Sequence, residues 1–177
     1  MAVWTNDTRI RWDKCRVLGR CDVMAPKALV AYYSRSGGTQ LMAEEIAEGL
    51  RSRGIDVDVR RIEDCRVRDL RAADVLVLGS PTYFSNMSWQ VKRLVDESIE
   101  LYTSGDLSGK VFGCFTSAGT RRDAEECIKM LELAFGFHHR MRSVPGIYAT
   151  SGESREQIRE RCREYAGLIA KALLEGG

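Results

Sequence analysis

No apolar run in this chain approaches the roughly 20 residues that a bilayer-spanning helix requires, so no membrane association is expected. The stretch from Met1 to Met24 carries charges and tryptophans but no apolar segment. That argues against a secretory signal and for a cytoplasmic protein. There is no C-x-x-C, and neither histidine stands at metal-ligand spacing from a cysteine, so no metal site is expected. Of the cysteines, Cys114, Cys127 and Cys162 fall within apolar strand or helix patterns and read as buried thiols. Cys15 and Cys21 could pair or bind something, but two cysteines are too few ligands for a metal. A long basic block is also missing. Arg51, Arg53, Arg60, Arg61, Arg66, Arg68 and Arg71 are interspersed with acids and read as a solvated face, so no nucleic-acid partner is expected. The 27 basic and 25 acidic residues leave a formal charge of +2. What is present, 177 residues with 44% hydrophobic and 29% charged side chains, suits one soluble globular domain.

From residue 27 onward strand and helix patterns alternate. Lys27–Tyr33 is a continuous apolar strand. A helix over Thr39–Arg53 follows, with Met42, Ile46 and Leu50 on one face and Gly54 as its stop. Asp56–Arg61 alternates as a half-buried strand, and Asp74–Gly79 and Val111–Phe115 are apolar enough to be central strands. Helices are expected over Ser88–Leu101, Arg122–Phe135 and Glu153–Glu175, with a short strand at Val144–Tyr148. The last helix would bury Ile158, Cys162, Tyr165, Ile169 and Leu173. The pattern is an α/β fold, a doubly wound five-stranded parallel sheet with strand order 2-1-3-4-5. Ligands of such sheets sit beyond the C-terminal strand ends.

The loops after the three central strands have binding character. After the first strand come Ser34, Arg35, Ser36, Gly37, Gly38 and Thr39, a hydroxyl- and glycine-rich turn running into a helix N-terminus, which favours an anion. No lysine follows Gly38, which excludes the nucleoside-triphosphatase loop, and no G-x-G-x-x-G is present. A single terminal phosphate held by neutral donors remains, and flavin mononucleotide (FMN) is its natural owner. After the third strand comes Ser80-Pro81-Thr82-Tyr83-Phe84-Ser85-Asn86-Met87, and after the fourth Thr116-Ser117-Ala118-Gly119-Thr120. All three would lie on one edge.

These segments resemble the flavodoxin-like family over nearly all of residues 27–177. Ser34-x-Ser36-Gly37-x-Thr39 resembles the flavodoxin phosphate loop. Gly79-Ser80-Pro81-Thr82-Tyr83-Phe84-Ser85-Asn86-Met87-Ser88 resembles the G-T/S-P-T-R/Y-F-G-N-M-S segment of the flavodoxin-like NAD(P)H:quinone oxidoreductases. Phe115–Thr120 is similar to that group's third flavin loop, and His138-His139-Arg140-Met141 to its H-H-G-M turn, whose second histidine lies by the flavin. Leu101-Tyr102-Thr103-Ser104-Gly105 is similar to its L-W-A-S-G segment, which brings an aromatic to the substrate face. The chain departs from the pattern at Ser85 and Arg140, both glycine in that group, and at Arg121-Arg122-Asp123, which replaces a glycine run. The Ile62–Ala73 connection is also short, which favours a homodimer over that group's tetramer.

The resemblance implies a cytoplasmic FMN oxidoreductase carrying electrons from NAD(P)H to a quinone or similar acceptor. Ser34, Ser36 and Thr39 would hold the phosphate, with Gly37 and Gly38 closing the backbone around it. Arg35 either adds a charge-assisted contact or points into solvent. Pro81, Thr82, Tyr83, Phe84 and Asn86 would frame the flavin ring. Ser117, Ala118, Gly119 and Thr120 would hold its pyrimidine side, and His139 and Tyr102 would reach the substrate face. No side chain need act as acid or base, because the cofactor carries the reaction. A flavodoxin-type electron carrier and a flavin-binding regulatory module are the alternatives. Arg121, Arg122, His138, His139 and Arg140, placed at the flavin edge, favour an anionic nicotinamide nucleotide and hence the enzyme. Residues 1–23, with Trp4 and Trp12, form an extension before a domain at 24–177. A chain begun at Met24 is expected to fold and bind FMN.

Overall fold

The computed structural model describes residues 25–175. The extension, with Trp4, Trp12, Cys15 and Cys21, lies outside the described residues. Strand β1 (Lys27–Tyr32) leads through the first loop into α1 (Gly38–Arg51), and β2 (Asp56–Arg61) follows. A 3-10 turn (Ile62–Asp64) and a one-and-a-half-turn helix α2 (Val67–Ala72) make the connection to β3 (Val75–Tyr83). A two-residue strand β4 (Asn86–Met87), α3 (Trp89–Glu97) and α4 (Ile99–Ser104) precede β5 (Val111–Ala118). Helix α5 (Arg121–Glu132) runs into a π-helix (Leu133–His138), then β6 (Arg142–Ser143), β7 (Ile147–Thr150) and α6 (Arg155–Glu175).

The sheet runs β2-β1-β3-β5, and β5 then pairs with β6 at one end and β7 at the other, all in parallel. The expected 2-1-3-4-5 order is therefore present, with its fifth strand in two pieces. Phe112 faces Ser143 and Phe115 faces Ile147, so one extra residue is inserted between the pieces. Pro145 stands there and has no N–H for the ladder. The Tyr165 hydroxyl fills the gap, accepting from the Cys114 N–H at 2.9 Å and donating to the Val144 carbonyl at 3.3 Å.

Two strands run further than their apolar cores. Beyond Gly79 and Phe115 the residues turn polar, yet β3 and β5 stay paired to Pro81 and Ser117. The β1 neighbour has already ended at the Tyr32–Gly79 pair, leaving an edge where a proline is tolerated. Gly79 is required by close approach, since a Cβ there would collide with the Phe115 ring.

Both faces of the sheet are covered. On one side α1 and α6 bury Met42, Ile46, Leu50, Cys162, Tyr165 and Ile169; Ile158 and Leu173 of α6 are only half-buried. On the other, α3 to α5 and the π-helix bury Val91, Leu94, Leu101, Cys127, Leu131 and Phe135. Cys65, Cys114, Cys127 and Cys162 are free, buried thiols. Burial pushes those of Cys65 and Cys162 up to about 12, so they are unreactive packing groups.

Candidate functional site

The site grows from the first loop. Ser34 is buried, and its Oγ accepts from the Gly37 N–H at 3.0 Å, closing the turn. Gly37 has φ +91°, a left-handed conformation that a Cβ would strain. A Cβ there would meet no neighbour, so the backbone alone demands glycine. Helix α1 begins with no side-chain cap and no acidic residue in its first turn. Its first amides and its positive end are therefore left for an anion. Arg35 and Ser36 are exposed beside them. Thr39 is buried and shares a 2.8 Å hydrogen bond with Ser117 Oγ of β5. Below the loop, Arg61 donates to the Ser34 carbonyl at 3.4 Å, lies over the Tyr33 ring at 5.8 Å and pairs with Glu63.

The second loop is a β-hairpin. Thr82 pairs with Met87 and Tyr83 with Asn86, so Phe84 and Ser85 form its two-residue tip. Both have positive φ, 51° and 61°, as a type I′ turn requires. The Phe84 side chain stands fully in solvent at 102% relative exposure. The hairpin's root is wired to β5. Thr116 donates to the Ser80 carbonyl at 2.6 Å, so its bond to Thr82 at 2.7 Å must be donated by Thr82. At the tip, Ser85 donates to Asp123 Oδ1 at 2.6 Å.

The third loop continues β5 through Ser117 and Ala118 to Gly119 and Thr120. Thr120 is the N-cap of α5: its Oγ1 accepts from the Asp123 N–H at 3.2 Å and donates to Asp123 Oδ2 at 2.6 Å. The Ser85 and Thr120 hydroxyls hold the Asp123 carboxyl below the usual carboxylate range. Every expected contact in the three loops therefore lies at one C-terminal edge of the sheet. Hydrogen bonds join the first loop to the third, and the second to the third.

His139 and Tyr102 do not lie there. Arg142 pairs with Val111, and the Gly109 N–H bonds to the Arg140 carbonyl, which puts His139 at the N-terminal end of β5. With about 3.3 Å of rise per residue, the six positions from Val111 to Ser117 set it roughly 20 Å from the cofactor loops. Within one chain, His139 and Tyr102 therefore sit at the sheet edge opposite the three loops. The π-helix ending at His138 turns His139 inward, where it is only 7% exposed. Its ring stacks on Phe135 at 5.2 Å and meets Tyr102 edge-on at 6.0 Å. Ser98 Oγ donates to the Val95 carbonyl at 2.6 Å, so His139 Nε2 must be the donor in their 2.9 Å bond. Nδ1 is then an unprotonated, buried atom without a partner. Desolvation, and then His138, push the imidazole below its ordinary range, so it is held neutral.

The same placement corrects the charge distribution. His138, His139 and Arg140 are at the far end, leaving Arg121 and Arg122 beside the third loop, with Arg121 paired to Glu125 at 2.6 Å. Sequence reasoning passed over Ser85, Thr116, Asp123 and Arg61. Thr120-x-x-Asp123 is a legible helix-start pattern. Ser85 and Asp123 are both departures from the glycines of the resembled group.

The Flavodoxin family profile matches residues 30–136. The chain is 33% identical over 147 residues to a Cupriavidus metallidurans protein named NAD(P)H dehydrogenase (quinone), covering 72% of this chain and 74% of that one. It is 31% identical over 160 residues to an Aquifex aeolicus flavodoxin, covering 82% and 85%. Its fold is similar to the crystal structure of a flavodoxin, WrbA-like protein from Agrobacterium tumefaciens. That likeness has a TM-score of 0.75 and 28% identity, over 86% of this chain and 100% of that one. With the three loops at one sheet edge, these matches establish that the chain belongs to the flavodoxin family, as a flavin-dependent oxidoreductase.

Proposed function

We propose that the protein binds FMN at the edge formed by its three loops and passes electrons from NAD(P)H to a quinone or a similar acceptor. The observation that carries this is the uncapped N-terminus of α1 behind the left-handed Gly37, hydrogen-bonded across to Ser117. The donor set is neutral hydroxyls and backbone amides, which suits one phosphate monoester. When bound, FMN supplies the two-electron redox chemistry.

The chain's part is to bind and orient. Ser34 shapes the turn, Ser36 and the amides from Gly37 onward hold the phosphate, and Thr39 locks that loop to β5. Pro81, Thr82, Tyr83 and Asn86 present backbone and side chains to one side of the ring. Ser117, Ala118, Gly119 and Thr120 line the other. The exposed Phe84 offers an apolar surface to a planar acceptor. NAD(P)H as the donor and quinone as the acceptor rest on the relatives that carry those names. Free, buried thiols fit a reducing cytoplasm. The short connection through the 3-10 turn and α2 favours a homodimer over a tetramer.

The test is an absorption spectrum of the purified protein followed by anaerobic addition of NADH or NADPH. Bleaching of bound flavin, and recovery on adding a quinone, is the expected result. Initial rates should give parallel double-reciprocal lines, as donor and acceptor use the site in turn. A flavin that neither nucleotide bleaches would instead mark an electron carrier, a reading that the flavodoxin of A. aeolicus keeps in view.

A further inference from the structure

We propose that Asp123 is a positioning residue that latches the Phe84 hairpin to the third loop and so sets the grip on the cofactor. The inference rests on the flavin reading of this edge. Asp123 uses both carboxylate oxygens, and each goes to a different loop. Oδ1 accepts from Ser85 at the hairpin tip, 38 residues away in sequence, and Oδ2 accepts from Thr120. Both bonds are 2.6 Å and charge-assisted, the stronger class of hydrogen bond.

The hairpin needs such a restraint. Its tip holds two non-glycine residues at positive φ, and Phe84 makes no burying contact of its own. Backbone strain of this kind persists only where surrounding contacts over-determine it. The bonds at its root, from Thr82 to Thr116 and from the Ser88 N–H to Ser80 Oγ at 2.9 Å, stop short of the tip. Ser85 to Asp123 is the contact that reaches it. Ser85 stands where the resembled group has glycine, and Asp123 belongs to the Arg121-Arg122-Asp123 stretch that replaces its glycine run. A glycine at 85 would relax the turn but offer no hydroxyl, and a glycine at 123 would offer no acceptor. The hydroxyl at 85 and the carboxylate at 123 thus supply the donor and the acceptor of one bond.

The test is a double-mutant cycle of Ser85→Ala, Asp123→Ala and both, with Asp123→Asn as the conservative control. Alanine keeps a Cβ at 85, so turn strain is matched across the cycle. Asp123→Ala also removes the bond from Thr120 at the start of α5, in which Ser85 takes no part, and the cycle separates the two effects. Two quantities are read: FMN dissociation constants by fluorescence titration, and hydrogen exchange of the peptide spanning residues 83–87 in the apoprotein. Ser85→Ala should weaken FMN about fivefold in the wild-type background and have no effect in the Asp123→Ala background. Exchange of the hairpin amides should rise in both single variants, and no further in the double. Asp123→Asn keeps an acceptor for Ser85 and gains a donor for Thr120, so it should hold FMN within about twofold of wild type.

Additive effects on FMN affinity, or an Asp123→Asn protein as weak as Asp123→Ala, would overturn the proposal. So would hairpin exchange that is unchanged in the single variants. Failure of the wild-type protein to bind FMN would instead bring down the flavin reading beneath it, and the apoprotein exchange would still decide whether the latch exists.

Discussion

The two ends of the sheet make an instructive contrast. At the C-terminal edge, short hydroxyl side chains from three loops hydrogen-bond one another and leave α1 amides open, with Ser36 and Phe84 exposed. At the N-terminal edge, the buried Phe135 and Ser98 and the half-exposed Tyr102 pack around a neutral His139 imidazole. Chemistry-bearing residue types are found at both. One end leaves hydroxyls and helix amides exposed, and at the other His139 is bonded and stacked inside the fold. His139 Nδ1 is nonetheless buried without a partner among the described residues. A histidine or tyrosine in a family-like segment therefore says little about a site until the strand register shows which end of the sheet it occupies.

The contrast breaks most sharply on cofactor binding. Replacing Ser36 and Thr39 together with valine should weaken FMN at least about 100-fold, through lost hydroxyls and a displaced first loop. His139→Phe should change FMN affinity by less than about twofold. Parallel fluorescence titrations check both. A His139 variant that released FMN would mean that the N-terminal edge reaches a cofactor site in the assembled protein.

Stability should show the reverse order. His139→Phe breaks the bond to Ser98 in a tightly packed pocket and should cost about 1–3 kcal/mol by urea denaturation. The sign of its pH dependence follows from the neutral imidazole. The folded group binds a proton less readily than the unfolded one, so the unfolded state gains protons first as pH falls. Wild-type stability should therefore be full above the ordinary histidine value of 6.5 and decline as pH drops below it. In His139→Phe that decline should disappear. Loss carried by Asp123, whose folded value is lowered from 3.8, belongs to a more acid window. The two can be told apart in one pH series.

A smaller effect sharpens the role of the exposed tip. Phe84→Ala should raise KM for a quinone about threefold and leave FMN occupancy unchanged, because the ring touches solvent in the absence of acceptor. Steady-state kinetics with the holoprotein measure it. The smallest effect belongs to Arg140, which has φ +55° at the far edge. Arg140→Gly should relieve left-handed strain and stabilise the apoprotein by about 0.5–1 kcal/mol, with FMN affinity unchanged. The same exchange at Ser85 should stabilise less, or not at all, since it also removes the bond to Asp123.

Much of this protein was legible in its sequence. Apolar runs at Lys27–Tyr32, Val75–Leu78 and Val111–Phe115, with helical spacing between them, state a parallel α/β sheet, because burial on both faces demands continuous apolar strands. The glycine and hydroxyls at 34–39 state an anion loop, because positive φ and short donors are local properties of those residues. Tertiary structure alone decided the rest. The strands run on to Tyr83 and Ala118 because a neighbour pairs with them, whatever their polarity. The fifth strand splits at Pro145 because Tyr165, 20 positions later in the chain, supplies the missing partner. His139 lies at the far sheet end, and Asp123 meets Ser85, for the same reason. Which groups meet depends on strand register and on hydrogen bonds between distant segments, and neither is written in any local stretch of sequence.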